Sequence, residues 1–344
     1  MAGLTRYDNS DKVIDTQKIV TSTWSDNTND ASGFLDFTSS AATAADITSS
    51  AAFYREVYND ANKTETQFAI AYGHKNGSGS KDFTNAAGGF GNSATKVIYN
   101  QYRQLVYGDE ASDFSFDGTT PDDIFVININ RARYKHNLKP GSLELILSRS
   151  VGSAISATKG NIKLTDDSVT KLGAATITNA GRQFNLVSGS LGTMQGSTLS
   201  QTTSGSYGYF YPDSGFIILN AGALSASLNT SRSLGPHVIN DNINQFLLSI
   251  RNGGSFIVDS EEKVTSQYFF TRAKNNEYNY TTNPSFIDTN GNLNYTSMVD
   301  NPKTFITTIG LYNDSNDLVA VAKVSQPISK DFSKEALMRV KLDY

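Results

Sequence analysis

Apolar residues recur along this chain mostly at alternate positions or in short continuous runs, the spacing of β-strands. FYREVYN (53–59) and QFAIAYGH (67–74) open the series. DIFVININRARYK (123–135), alternating from Ile124, follows, and SLELILS (142–148) resumes after a turn at Pro140-Gly141. Shorter runs stand at NIKLTD (161–166), RQFNLVSG (182–189), SFIVDS (255–260) and SQYFFTRAK (266–274). The segment YGYFYPDSGFIILNAGAL (207–224) places Pro212-Asp213-Ser214-Gly215, with its turn-forming Pro and Gly, between two β-branched and aromatic runs, which predicts a hairpin. A second hairpin is predicted where TFITTIGLYN (304–313) and DLVAVAKVS (317–325) flank the polar tip NDSND. In ALMRVKLDY (336–344), Met338, Val340, Leu342 and Tyr344 alternate with Arg339, Lys341 and Asp343, as a strand tied into a sheet requires.

Two segments carry the helical period instead. In TKVIYNQYRQLVY (95–107), Val97, Ile98, Gln101, Tyr102, Leu105 and Val106 predict one face, and Gly108 stops the helix. NINQFLLSIRNGG (242–254) predicts a short helix closed by Gly253 or Gly254. The fold class expected is therefore mainly β (α+β), with antiparallel sheets and a few short helices. Residues 1–52 are polar and low in complexity, and read as an arm. Residues 53–150 plus 236–344 read as an antiparallel α+β core. Residues 151–235, richer in Ser, Thr and Gly, read as an inserted β-module.

Composition sharpens this picture. Charged residues make up 18% of the 344-residue chain, so long helices with Lys/Glu-rich outer faces are not expected. The formal net charge of -4 argues against a nucleic-acid binder, which needs a basic face to release phosphate counterions. The basic cluster Arg131, Arg133, Lys135, His136 and Lys139 reads as one solvated strand face. The absence of cysteine excludes disulfides and thiolate metal sites. No run approaches the ~20 apolar residues that cross a bilayer, and residues 1–16 hold no apolar stretch of signal-peptide length. No membrane partner is expected, and the chain reads as made and kept in a cytoplasm-compatible form.

Candidate chemistry is sparse. His74, His136 and His237 stand apart, with no HExxH spacing and no GxSxG elbow. NGSGSK (76–81) and AGGFGNS (87–93) do not satisfy GxxxxGK[ST], and read as plain loops. The acid pairs Asp122-Asp123, Asp166-Asp167 and Glu261-Glu262 read as solvated turn residues. DTNGNLN (288–294) has Gly at its fourth position and Val299 where a calcium loop needs Glu, so no EF-hand is expected. No catalytic residue, cofactor or metal is expected.

ITTIGLYND-x-NDLVAVAKVS (306–325) resembles a strand-turn-strand element of contractile-phage tail, baseplate and fibre-attachment proteins. The 207–224 hairpin is similar to a segment of virion proteins of T4-like phages of marine and cyanobacterial hosts, and residues 71–74 and 130–133 add to the likeness. The resemblance covers about a quarter of the chain. It implies a non-catalytic virion subunit, located in the virion after assembly in the host cytoplasm. Its implied partners are other tail or baseplate proteins and further copies of itself. Aromatic residues, 11% of the chain, supply candidate interface positions. These are Tyr207, Tyr209 and Tyr211 at the first hairpin, and Tyr278, Tyr280 and Tyr295 in the Asn/Tyr-rich loop. A neck or head protein of the same virion and a carbohydrate-binding receptor-recognition module are the alternatives. The single Trp24, in a turn-rich stretch, weighs against the latter.

Overall fold

The computed structural model describes residues 6–25, 30–33, 35–36, 54–59, 62, 64–77, 95–148, 161–170, 175–195, 205–228, 240–251, 253–279 and 284–344. The protein is mainly β, built of antiparallel sheets with a few short helices. Its strands are β1 (Lys12–Ser22), β2 (Leu35–Asp36), β3 (Tyr54–Tyr58), β4 (Thr66–His74), β5 (Asp123–Ile129), β6 (Asn137–Leu138), β7 (Glu144–Leu147), β8 (Ile162–Asp166) and β9 (Thr176–Thr178). They continue as β10 (Gly181–Ser190), β11 (Thr193–Met194), β12 (Gly208–Tyr211), β13 (Phe216–Asn220), β14 (Ser255–Ile257), β15 (Asp259–Ala273), β16 (Thr304–Tyr312), β17 (Leu318–Lys330) and β18 (Ala336–Asp343). The helices are α1 (Thr95–Tyr107), α2 (Ala221–Leu228), α3 (Asn240–Arg251) and the single turn α4 (Ser297–Asp300).

The chain divides into two compact units, Ile19–Glu262 and the pair of segments Met1–Lys18 with Lys263–Tyr344. The larger unit is one antiparallel sheet in the order β14-β7-β8-β10-β12-β13-β5-β4-β3-β2, with β9 and β11 paired to β10. Strands β5, β12 and β13 are buried on nearly every residue, because both faces are covered. Ile127, Ile217 and Leu219 join Ile243, Phe246, Leu247 and Ile250 of α3 on one side. Val126, Phe216 and Ile218 join Tyr99, Tyr102 and Val106 of α1 on the other. Each such side chain removed from water contributes about 1.5–3 kcal/mol.

Both long helices form where their periodicity placed them, but α1 turns a different face inwards. Tyr99, Tyr102, Arg103 and Val106 are buried, while Val97 and Leu105 are exposed. The inward stripe follows the aromatic rings rather than the aliphatic residues. A Cβ on Gly73 of β4 would lie 2.8 Å from the Tyr99 backbone nitrogen, so glycine sets how closely α1 approaches the sheet.

The domain boundaries differ from expectation. The described strands of 151–235 do not form a separate inserted module: β12 and β13 lie mid-sheet, and Phe216 to Asn220 pair with Asn128 to Ile124 of β5. The polar start is no free arm either. Trp24 is 2% exposed and packs its ring 5.1 Å from Phe256 and 5.7 Å from Phe68. Those partners are distant in sequence, which is why one aromatic among turn-formers looked stranded.

In the smaller unit β15 lies between β1 and β18. Ser266 to Ala273 pair with Asp343 to Ala336. Tyr344 exchanges two backbone hydrogen bonds with Thr265, so the terminal strand is tied in as its alternation predicted. Strands β16 and β17 form the predicted hairpin, and Ile306, Ile309 and Ile328 pack against buried Ala273, Ala336 and Met338.

Candidate interaction surfaces

The smaller unit buries little and exposes much. Among the described residues its buried apolar side chains are Ala273, Leu311, Ala336, Met338 and Val340. On the hairpin, Phe305, Tyr312, Leu318, Val319 and Val321 are all about half exposed or more. Tyr312 pairs with Leu318, and Gly310 with Val321. The Tyr312 ring lies over Gly310, where an added Cβ would come within 3.0 Å of it. Tyr312, Leu318, Val319 and Val321 form an apolar outer face towards the tip of a two-stranded ribbon, an element marginal in water by itself. The tip is fixed from within: Asn313 Oδ1 accepts the Asp317 N–H at 2.8 Å, and Asn316 takes the left-handed conformation at φ 64°.

The predicted contact tyrosines separate into two groups. Tyr278 and Tyr295 are exposed in the smaller unit; Tyr278 sits at φ 56°, and Tyr295 leans on Phe286 at 5.3 Å. Tyr280 lies outside the described residues. Tyr207, Tyr209 and Tyr211 are corrected to core residues, 6%, 8% and 0% exposed. Their hairpin runs through the middle of the larger sheet, so both of its faces are taken. The Tyr211 ring stacks on Phe216 at 4.5 Å and its hydroxyl donates to Gln183 Oε1 at 3.0 Å; Tyr209 stacks on Phe116 at 4.9 Å and donates to the Ser115 carbonyl. Burial pushes both phenols well above their usual range.

The basic cluster is not a strand face, because β5 ends at Ile129 and Arg131–Arg133 forms a 3-10 turn capped by Asn130. Arg131 lies over the Tyr134 ring at 4.7 Å and donates to the Tyr134 carbonyl at 2.6 Å, while Arg133 pairs with Glu65 at 2.9 Å. Beside them Glu56, Asn128, Asn130, Arg131, Tyr134 and Ser214 line an open polar depression of about 410 Å³.

The acid pairs are also corrected, since the structure buries most of what looked like solvated turns. Asp166 and Asp167 are fully buried. Asp166 accepts the Gly141 and Ser168 N–H groups, and Asp167 accepts the Asn185 backbone and amide N–H groups at 2.9 and 2.8 Å. Both carboxylates hold turns together. Glu261 is buried on β15, paired with Asn137 of β6.

At the end of β4, His74 pairs with Asp123 and is buried. Tyr72 donates to Asp123 at 2.9 Å, and Lys75 bridges Asp122 at 2.8 Å and Asp113 at 3.3 Å. Burial, reinforced by Asp122 and opposed by the Tyr72 hydroxyl, pushes the Asp123 carboxyl up to about 6. This cluster brings a histidine and two acids to one strand end, which their separation in sequence concealed. The glycine-rich stretch following it lies outside the described residues beyond Gly77.

Among the described residues no group of three or more His, Asp or Glu could hold a metal ion. The DTNGNLN loop instead turns Asp288 onto the Asn290 and Asn292 N–H groups, both at 2.8 Å. No described helix is long and apolar enough to cross a membrane. No family model matches the chain, and no curated protein or solved structure matches it either.

Proposed function

We propose that this chain is a non-catalytic structural subunit of a bacteriophage virion, a wedge or fibre-attachment component of the tail baseplate that works through protein-protein interfaces. The observation that carries the interface reading is the outer face of the β16–β17 hairpin, where Tyr312, Leu318, Val319 and Val321 lie exposed in a unit with a small core of its own. Covering that face with another subunit removes apolar surface from water, the main driving term of association. The assignment to a phage tail rests on the likeness of residues 306–325, the same hairpin, to tail and baseplate elements.

The reading is tested with purified full-length chain, a panel of tail proteins from the same particle, and host polysaccharides. Expected is stable association with tail proteins, lost on Val319→Asp, with no polysaccharide turnover. Hydrolysis of a polysaccharide, abolished by Asp122→Asn or Asp123→Asn, would replace the structural reading with an enzymatic one.

A further inference from the structure

We propose that β1 pairs edge to edge and antiparallel with β1 of a second copy of this chain, about a two-fold axis at Thr16. The inference rests on the interface reading and names one partner for it. β1 is the outer strand of its sheet: β15 covers one edge, and no strand among the described residues covers the other. Every residue from Lys12 to Thr21 is exposed. Successive side chains in a strand point to opposite faces, so Val13 and Ile14, and again Ile19 and Val20, put apolar groups on both. Their exposures are 47%, 63%, 44% and 42%. A layer laid on one face would leave half of them wet, whereas a strand added at the edge flanks both. The strand holds no proline to block such pairing.

The residue pattern selects a second copy as that strand. A two-fold axis normal to the sheet keeps each side chain on its own face, so one residue must face its own counterpart. Centred on Thr16, the register sets Asp15 opposite Gln17, whose amide N–H can donate to the carboxylate. It sets Val13 opposite Ile19, a β-branched pair formed twice, and leaves no like charges opposite. Centred on Gln17, Asp15 would face Ile19 instead, which leaves the carboxylate without a donor across the strands. Self-pairing of β1 closes as a dimer.

The chain contains no cysteine, so one introduced thiol reports its own neighbour. Thr16→Cys in the full-length protein is expected to yield a disulfide-linked dimer on mild oxidation, since directly opposed Cβ atoms lie within bonding reach. Asp15→Cys and Gln17→Cys are each expected to stay monomeric alone and to cross-link when mixed. A Thr16→Cys protein that stays monomeric overturns the proposal, and so does equal self-cross-linking at 15, 16 and 17. Val321→Cys on the hairpin serves as control, and dimers formed there but not at 16 overturn it as well. If the Thr16 variant fails while tail proteins still bind, only β1 pairing is lost; if neither occurs, the interface reading falls with it.

Discussion

Asp213, in the turn between β12 and β13, takes three hydrogen-bond donors from Arg182 of β10. The Arg182 backbone N–H donates at 2.8 Å, Nε at 3.0 Å, and the terminal Nη2 completes the fork. Gly181, at φ 98°, lies directly beneath, where an added Cβ would come within 2.8 Å of Asp213. The turn closes with Gly215 N–H donating to Tyr211 O, one residue beyond a simple type I bond. Asp213→Ala is therefore expected to cost about 1–3 kcal/mol in denaturant unfolding. Arg182→Lys should recover only part of this, because a lysine cannot form the fork. An Asp213→Ala protein as stable as the parent would remove this clamp from the account.

Lys330 is fully buried, and its ammonium donates to neutral oxygens only: Asn279 Oδ1 at 2.9 Å, Asn275 O at 3.0 Å and Asp331 O at 3.1 Å. It anchors the 275–279 segment to the end of β17. Lys330→Met keeps the stem but takes the donor from Asn279 Oδ1, at about 1–3 kcal/mol, while Asn275 O keeps the Asn279 amide and Asp331 O keeps the Lys334 N–H. Limited proteolysis should then cut first within 275–279. Unchanged protection there would show that the anchor is dispensable.

Asp123 gives the fold a defined pH dependence. Its folded value near 6 exceeds the ordinary 3.8, so between those limits the folded state binds a proton that the unfolded chain releases. Stability falls as pH rises through that window, by up to about 3 kcal/mol, and levels off above it. Asp123→Asn should flatten this part of the stability-pH curve. A variant curve that runs parallel to the parent's would assign the slope to other groups.

Trp24, the only tryptophan, reports on the larger unit alone. Its fluorescence should be blue-shifted in the folded protein and shift red in step with that unit's unfolding. Trp24→Ala should cost about 3–5 kcal/mol, the range for a large aromatic lost from a core. A red-shifted spectrum in the native protein would place this side chain in solvent instead.

Local pattern announced what local physics decides. The 95–107 helix, both hairpins and the final strand follow from apolar periodicity and turn residues that a short window contains. Long-range pairing decided the rest. Nothing near Trp24 indicates Phe68 or Phe256, and nothing near Tyr209 indicates that β10 will pair with the open side of its hairpin. The same limit misplaced the acids: Asp166 and Asp167 look solvated until the Gly141 and Asn185 N–H groups arrive from elsewhere in the chain. Of the candidate contact tyrosines, the exposed Tyr278 and Tyr295 sit in polar loop sequence, whereas the buried three belong to a continuous apolar run. Counting the apolar neighbours of each tyrosine would have separated them.

The claim that the hairpin's outer face exists to be covered is tested most directly by imaging particles that carry this chain with a labelled C-terminus. The account predicts label at the tail baseplate, with another subunit packed over Tyr312, Val319 and Val321. A particle without the label, or one in which that face stands open to solvent, would contradict it.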